Sequence, residues 1–129
     1  MRGNKSEKIP SIKNDYGMIT LAEEVVTSIV GLAASECYGV VGMAPRRMTE
    51  DLGDILKRDS LGRGVEVEWK DGKLFIKVFI TVGYGTRISE VANNVIRQVH
   101  YSVEHITGLS VGQVNVMVRG VRVMNGKRG

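Results

Sequence analysis

The most constraining feature of this chain is an Asp-Gly pair set between two alternating runs. Val65 to Lys70 and Lys73 to Val82 alternate in polarity, and Asp71-Gly72 between them suits the positive φ values of a two-residue β-hairpin. So short a connection fixes the register: Trp69 faces Leu74, Val67 faces Ile76 and Val65 faces Val78. These six residues share one face, which Ile80 and Val82 continue. The opposite face sets Glu68 against Phe75 and Glu66 against Lys77, then runs on to Phe79 and Thr81. A slip of one residue would turn the charges inward, so the pairing is firmly specified. Two strands alone are marginal in water, and the ribbon therefore needs an apolar layer from elsewhere in the chain.

Two helical segments are suited to supply that layer. From Leu21 to Glu36, Ala22, Val25, Val26, Ile29, Val30 and Ala33 recur at helical spacing, with Leu32 and Ala34 widening the stripe. Thr20 and Glu23 have the spacing of a capping box. A helix this apolar is buried on more than one side or meets a partner. From Arg87 to Thr107, Ile88, Val91, Ala92, Val95, Val99, Val103 and Ile106 form a second stripe, with Thr86 as candidate N-cap and Gly108 as the stop.

Shorter strands are expected over Tyr16 to Thr20 and Cys37 to Ala44, and a final strand over Gln113 to Val123. In that last strand the change of phase after Gly120 suggests a bulge. A short helix is expected from Thr49 to Arg58, followed by a loop to Gly64. The order βαβαββαβ describes an α+β two-layer sandwich: a mixed sheet of about five strands with two long helices on one face.

Composition narrows the functional classes. The chain has 129 residues, one cysteine and no apolar run approaching the length of a membrane span. Its N-terminus has charge without an apolar segment behind it, so no secretory signal is expected, and the chain reads as cytoplasmic. The net charge of +4 comes from the ends. Residues 1–15 read as a basic tail, 16–123 as one domain and 124–129 as a second basic tail; between the charged ends, residues 14–118 hold 13 acids against 10 bases. Such tails can be attracted to anionic lipid.

Motifs for chemistry are sparse. His100 and His105 are five residues apart on one helix, too far around it to share a metal, and one cysteine completes no zinc site. His100 is placed to pair with Glu104. Neither a nucleophile elbow, GxGxxG, nor a phosphate loop occurs, so no catalytic, cofactor or metal residue is assigned. Gly62-Arg63-Gly64 and Gly83-Tyr84-Gly85, the latter followed by Thr86 and Arg87, are candidate anion contacts through Arg63 and Arg87. Nucleic acid is disfavoured by the acidic body. The sheet face away from the helices carries Lys73, Phe75, Lys77, Phe79 and Met117, a candidate protein-contact face, since aromatics and methionine favour interface cores. Two readings follow. One is a self-associating structural or adaptor protein. The alternative is a small binding module for an anionic ligand, RNA or a phosphorylated metabolite.

Two stretches carry a family resemblance. GMITLAEEVVTSIVGLAASECYGVVGM resembles the N-terminal signature of the alkaline shock protein family, the Gls-type envelope stress response proteins. YGTRISEVANNVIRQVHYSVEHITGLSVGQVNVMVRGVRV resembles its C-terminal signature. Together they span roughly 16–123, and the CYGVVGM and GYGT pieces are most similar to the short, YloU-like branch of Gram-positive bacteria. The resemblance implies a cytoplasmic, non-enzymatic homo-oligomer that can sit at the inner side of the membrane, through a membrane-anchored partner protein in one branch, and that is linked to cell-envelope homeostasis.

Overall fold

The computed structural model describes residues 9–44 and 63–123. The elements are β1 (Ile12–Asn14), β2 (Gly17–Ile19), α1 (Glu23–Ser35), β3 (Val40–Met43), β4 (Val65–Lys70), β5 (Lys73–Gly83), α2 (Ile88–Thr107) and β6 (Val111–Arg122). This is the expected α+β fold, with the strands divided between a four-stranded mixed sheet and a two-stranded hairpin. The short helix expected over 49–58 lies outside the described residues, as do Gly62 and the C-terminal tail.

β5 is the centre of the main sheet. Its antiparallel pairing with β4 has the register set by the Asp-Gly turn: Trp69 opposite Leu74, Val67 opposite Ile76, Val65 opposite Val78. Asp71 and Gly72 both take the left-handed conformation this turn requires, with φ of 53° and 79°. β3 continues the same edge of β5, pairing antiparallel with Ile80 to Val82. The two short strands meet opposite Phe79, whose amide donates to the Gly64 carbonyl at 2.8 Å and whose carbonyl accepts from Ala44 at 2.9 Å. A side chain on Gly64 would collide with the Ala44 carbonyl oxygen, so only glycine fits this junction.

β6 occupies the other edge of β5 and runs parallel to it. Ile80 faces Val118 but Thr81 faces Gly120, which leaves Arg119 as the extra residue of a bulge beside the glycine expected to mark one. A second shift leaves Gly112 unpaired between Val111 and Gln113. There a side chain would press against the Phe75 ring, 3.0 Å away.

Both helices cover one face of this sheet. Val26, Val30, Ala33 and Ala34 of α1 and Val91, Val95, Val99 and Val103 of α2 pack with Leu74, Ile76, Val78, Ile80 and Val82 of β5 into one core. Burying each of the valine, leucine and isoleucine side chains among them favours folding by about 1.5–3 kcal/mol before entropy is counted. Both stripes are narrower than the sequence suggests: Val25 and Leu32 of α1, and Ile88 and Ile106 at the ends of α2, remain substantially exposed.

Helix ends differ from expectation in one respect. Neither Thr20 nor Thr86 caps a helix. The Thr20 hydroxyl lies 3.0 Å from that of Ser11 and joins the open end of the β1–β2 hairpin, and Thr86 donates to the Gly83 carbonyl at 2.7 Å and closes a turn. The N-cap positions are Ala22 and Arg87, without side-chain caps. Gly108 does end α2, at φ 79° with its amide bonded to the Glu104 carbonyl. Ile12 to Asn14, read from sequence as part of a tail, form β1 because the Asn14 side chain accepts from the amides of Tyr16 and Gly17 and folds the chain back.

Candidate contact face

The strand alternation of β5 puts Lys73, Phe75, Lys77 and Phe79 on the face away from the helices. The parallel register adds Gln113, Asn115 and Met117 beside Phe75, Lys77 and Phe79. All five residues of the expected contact face therefore share one surface. Glu66 stands directly across from Lys77, and Glu68 across from Phe75. Glu66, Glu68, Lys70, Phe75, Lys77 and Asn115 line an open hollow of about 510 Å³. Charges of both signs meet there around one aromatic ring. Such a floor suits contact with another mixed-charge surface more than retention of a small charged substrate.

Phe79 does not belong to the exposed part of this face. It is 5% exposed, and the Arg119 guanidinium lies over its ring, 5.1 Å from the centroid. Nothing in the sequence reading pointed to this stacking. The only clue was the break in phase at Gly120, which makes Arg119 the extra residue. Phe75 is half-buried and Met117 is 43% exposed, so these two carry what apolar surface the face presents.

The other candidate residues are dispersed. Arg63 precedes Gly64 at the junction opposite Phe79, whereas Arg87 lies beyond the end of β5 at the start of α2. At about 3.3 Å per strand residue, the four residues from Phe79 to Gly83 alone separate these places by roughly 13 Å. The two arginines do not form one anion site. His100 and Glu104 pair as expected, with 3.8 Å between Nε2 and Oε2, both side chains part-exposed. Glu104 also accepts from the Val111 amide at 2.8 Å, which ties the end of α2 to the start of β6. His105 stacks on Tyr101, with ring centroids 5.3 Å apart. Cys37 is part-buried, its thiol directed at the Ala33 carbonyl. Burial, and secondarily the neighbouring Glu36 carboxylate, pushes this thiol above its ordinary pKa of 9.0, which suits a packing role rather than a nucleophile.

Among the described residues no helix is long and apolar enough to cross a membrane. The fold is similar to solved structures of the MamM CTD. Its copper form matches with a TM-score of 0.48 at 12% identity, over 82% of this chain and 93% of that one. Among relatives, an uncharacterised protein of Bacillus subtilis (strain 168), YloU, is 44% identical over 115 residues, covering 88% of this chain and 96% of its own. The uncharacterised Spy1614 of Streptococcus pyogenes serotype M6 is 34% identical over 114 residues, covering 88% and 94%. YqhY, also uncharacterised and from Bacillus subtilis (strain 168), is 30% identical over 125 residues, covering 95% and 90%. Residues 11–123, both helices and both sheets, match the family of alkaline shock protein 23, described as having a cell envelope-related function, and the chain belongs to that family.

Proposed function

We propose that this chain serves its cell-envelope role as a non-enzymatic, self-associating adaptor, cytoplasmic and close to the inner face of the membrane. The observation that carries the reading is the outer sheet face, where Met117 is exposed and Phe75 half-buried beside the Glu66–Lys77 pair. Burying an aromatic and a methionine ringed by charges of both signs is the pattern of a polar-rimmed protein contact. The exposed side of α1, with Val25 and Leu32 two turns apart, offers a further apolar strip.

Size-exclusion chromatography with light scattering tests the reading. The chain is expected to show a mass above that of the monomer, rising with concentration. Phe75→Glu is expected to lower that mass toward the monomer without changing the melting temperature by more than a few degrees. A strictly monomeric parent at high concentration would overturn self-association. Fractionation of cells into membrane and soluble pools checks the location separately.

A further inference from the structure

We propose that the outer edge of β6 is where two copies of this chain join, strand against strand and antiparallel, so that their four-stranded sheets become one. β5 is the neighbour of β6 on one side, and among the described residues no strand lies on the other. Such an edge offers backbone amides and carbonyls to a further strand, and proteins usually guard it with charge, proline or a bulge. In β6 the bulges at Gly112 and Arg119 bracket a straight run, and the cations Arg119 and Arg122 come after it. Within the run, Gln113 to Val118 pair with Phe75 to Ile80 without a break and read Gln-Val-Asn-Val-Met-Val, with no charge, proline or glycine. The unguarded part of the edge is also its most strand-prone part. The core is open along the same run. Val114 is buried, but Val116 and Val118, on its side of the sheet, are only partly covered, and Val121 beyond them is 52% exposed.

The residues of this run select a second copy as the occupant. Turned about a two-fold axis at Val116, the run meets itself with Val116 opposite Val116 and Val114 opposite Val118. The three valines of the helix side then pair only with valines, and the half-covered Val118 lies beside the buried Val114 of the other copy. On the outer side Asn115 meets Met117, and Arg119 comes level with Gln113, so no two cations face each other. An axis at Asn115 would instead set Val118 against Gly112. Parallel pairing would set Arg119 beside Arg119 and Arg122 beside Arg122, like charges that oppose it. The axis at Val116 stands perpendicular to the sheet, which brings the two outer faces, each with Phe75 and Met117, side by side. The inference rests on the self-association proposed above and names the partner and the strand that joins it.

The experiment is cysteine crosslinking of the full chain, carrying Cys37→Ala, under oxidised glutathione. Facing Cα atoms of antiparallel strands are about 4.5–5.5 Å apart, within reach of a disulfide. Val116→Cys is expected to give a covalent dimer by itself. Val114→Cys and Val118→Cys should each crosslink about tenfold more slowly alone, since neither meets itself, and should join readily when mixed. Melting curves confirm that each variant is folded. Without oxidant, Asn115→Lys combined with Met117→Lys should weaken association about tenfold, because like charges then face each other, and Asn115→Lys combined with Met117→Glu should restore it. Phe75→Glu should leave the Val116→Cys crosslink in place, and the mass that remains should be that of two copies. A parent that associates while Val116→Cys fails to crosslink overturns this edge and spares the self-association; a strictly monomeric parent removes both. Crosslinking of Val116→Cys to Val67→Cys of β4 in place of itself would mean sheets joined head to tail, and crosslinking in cells to another protein alone would mean a foreign strand. Either result overturns the proposal.

Discussion

Phe75 and Phe79 sit four residues apart on the same face of one strand, yet they have opposite roles. Phe79 is enclosed with Arg119 stacked on its ring, and its backbone holds β3 and β4 together end to end. Phe79→Ala is expected to cost about 3 kcal/mol of stability, measured by urea unfolding, whereas truncation of the half-buried Phe75 should cost well under half of that. An equal loss at both positions would show that the ring of Phe79 is not packed as described. Cys37 provides a second test at this scale. Its thiol stays protonated in the folded chain at pH values where the unfolded chain has lost the proton, so the folded state binds more protons there. The contribution to stability is complete below about 9.0 and falls as pH rises through the folded value. Unfolding measured on the alkaline side should show this fall in the parent and not in Cys37→Ala. Alkylation of the native thiol at neutral pH should be slow.

At the scale of elements, the β4–β5 hairpin was wholly legible in the sequence because a two-residue turn leaves no freedom in register. Gly72 pays for that certainty by adopting φ 79°, a conformation other residues resist. Gly72→Ala should destabilise the domain by about 1–2 kcal/mol in urea unfolding while leaving the spectroscopic signature of the native sheet in place. A neutral substitution would mean that the turn relaxes to another type. Helix centres were equally legible, since the spacing of Val91, Val95, Val99 and Val103 follows directly from the helical period. Helix starts were not. Thr20 and Thr86 have the chemistry of caps, but a hydroxyl can equally close a neighbouring turn, and spacing does not distinguish the two uses. β2 lies within the strand expected over Tyr16 to Thr20, but its partner β1 was missed, because three residues that mostly face water leave no periodic signal.

For the molecule as a whole, the family and the helix-on-sheet layering were readable from two long stretches, but the functional surface was readable only in part. Alternation assigned Lys73, Phe75, Lys77 and Met117 to the outer face, and it could not report that Arg119 stacks on Phe79, since that depends on a bulge in another strand. The parallel pairing of β5 with β6 also bears on how the molecule is made. Half of the hydrogen bonding of β5 is reserved for a strand that follows an entire helix. At roughly 5–20 residues per second a ribosome needs several seconds to supply that stretch. During that interval the nascent chain carries a bare, strongly apolar strand edge, so overproduction should draw on chaperones, and a message cut short within α2 should yield aggregates.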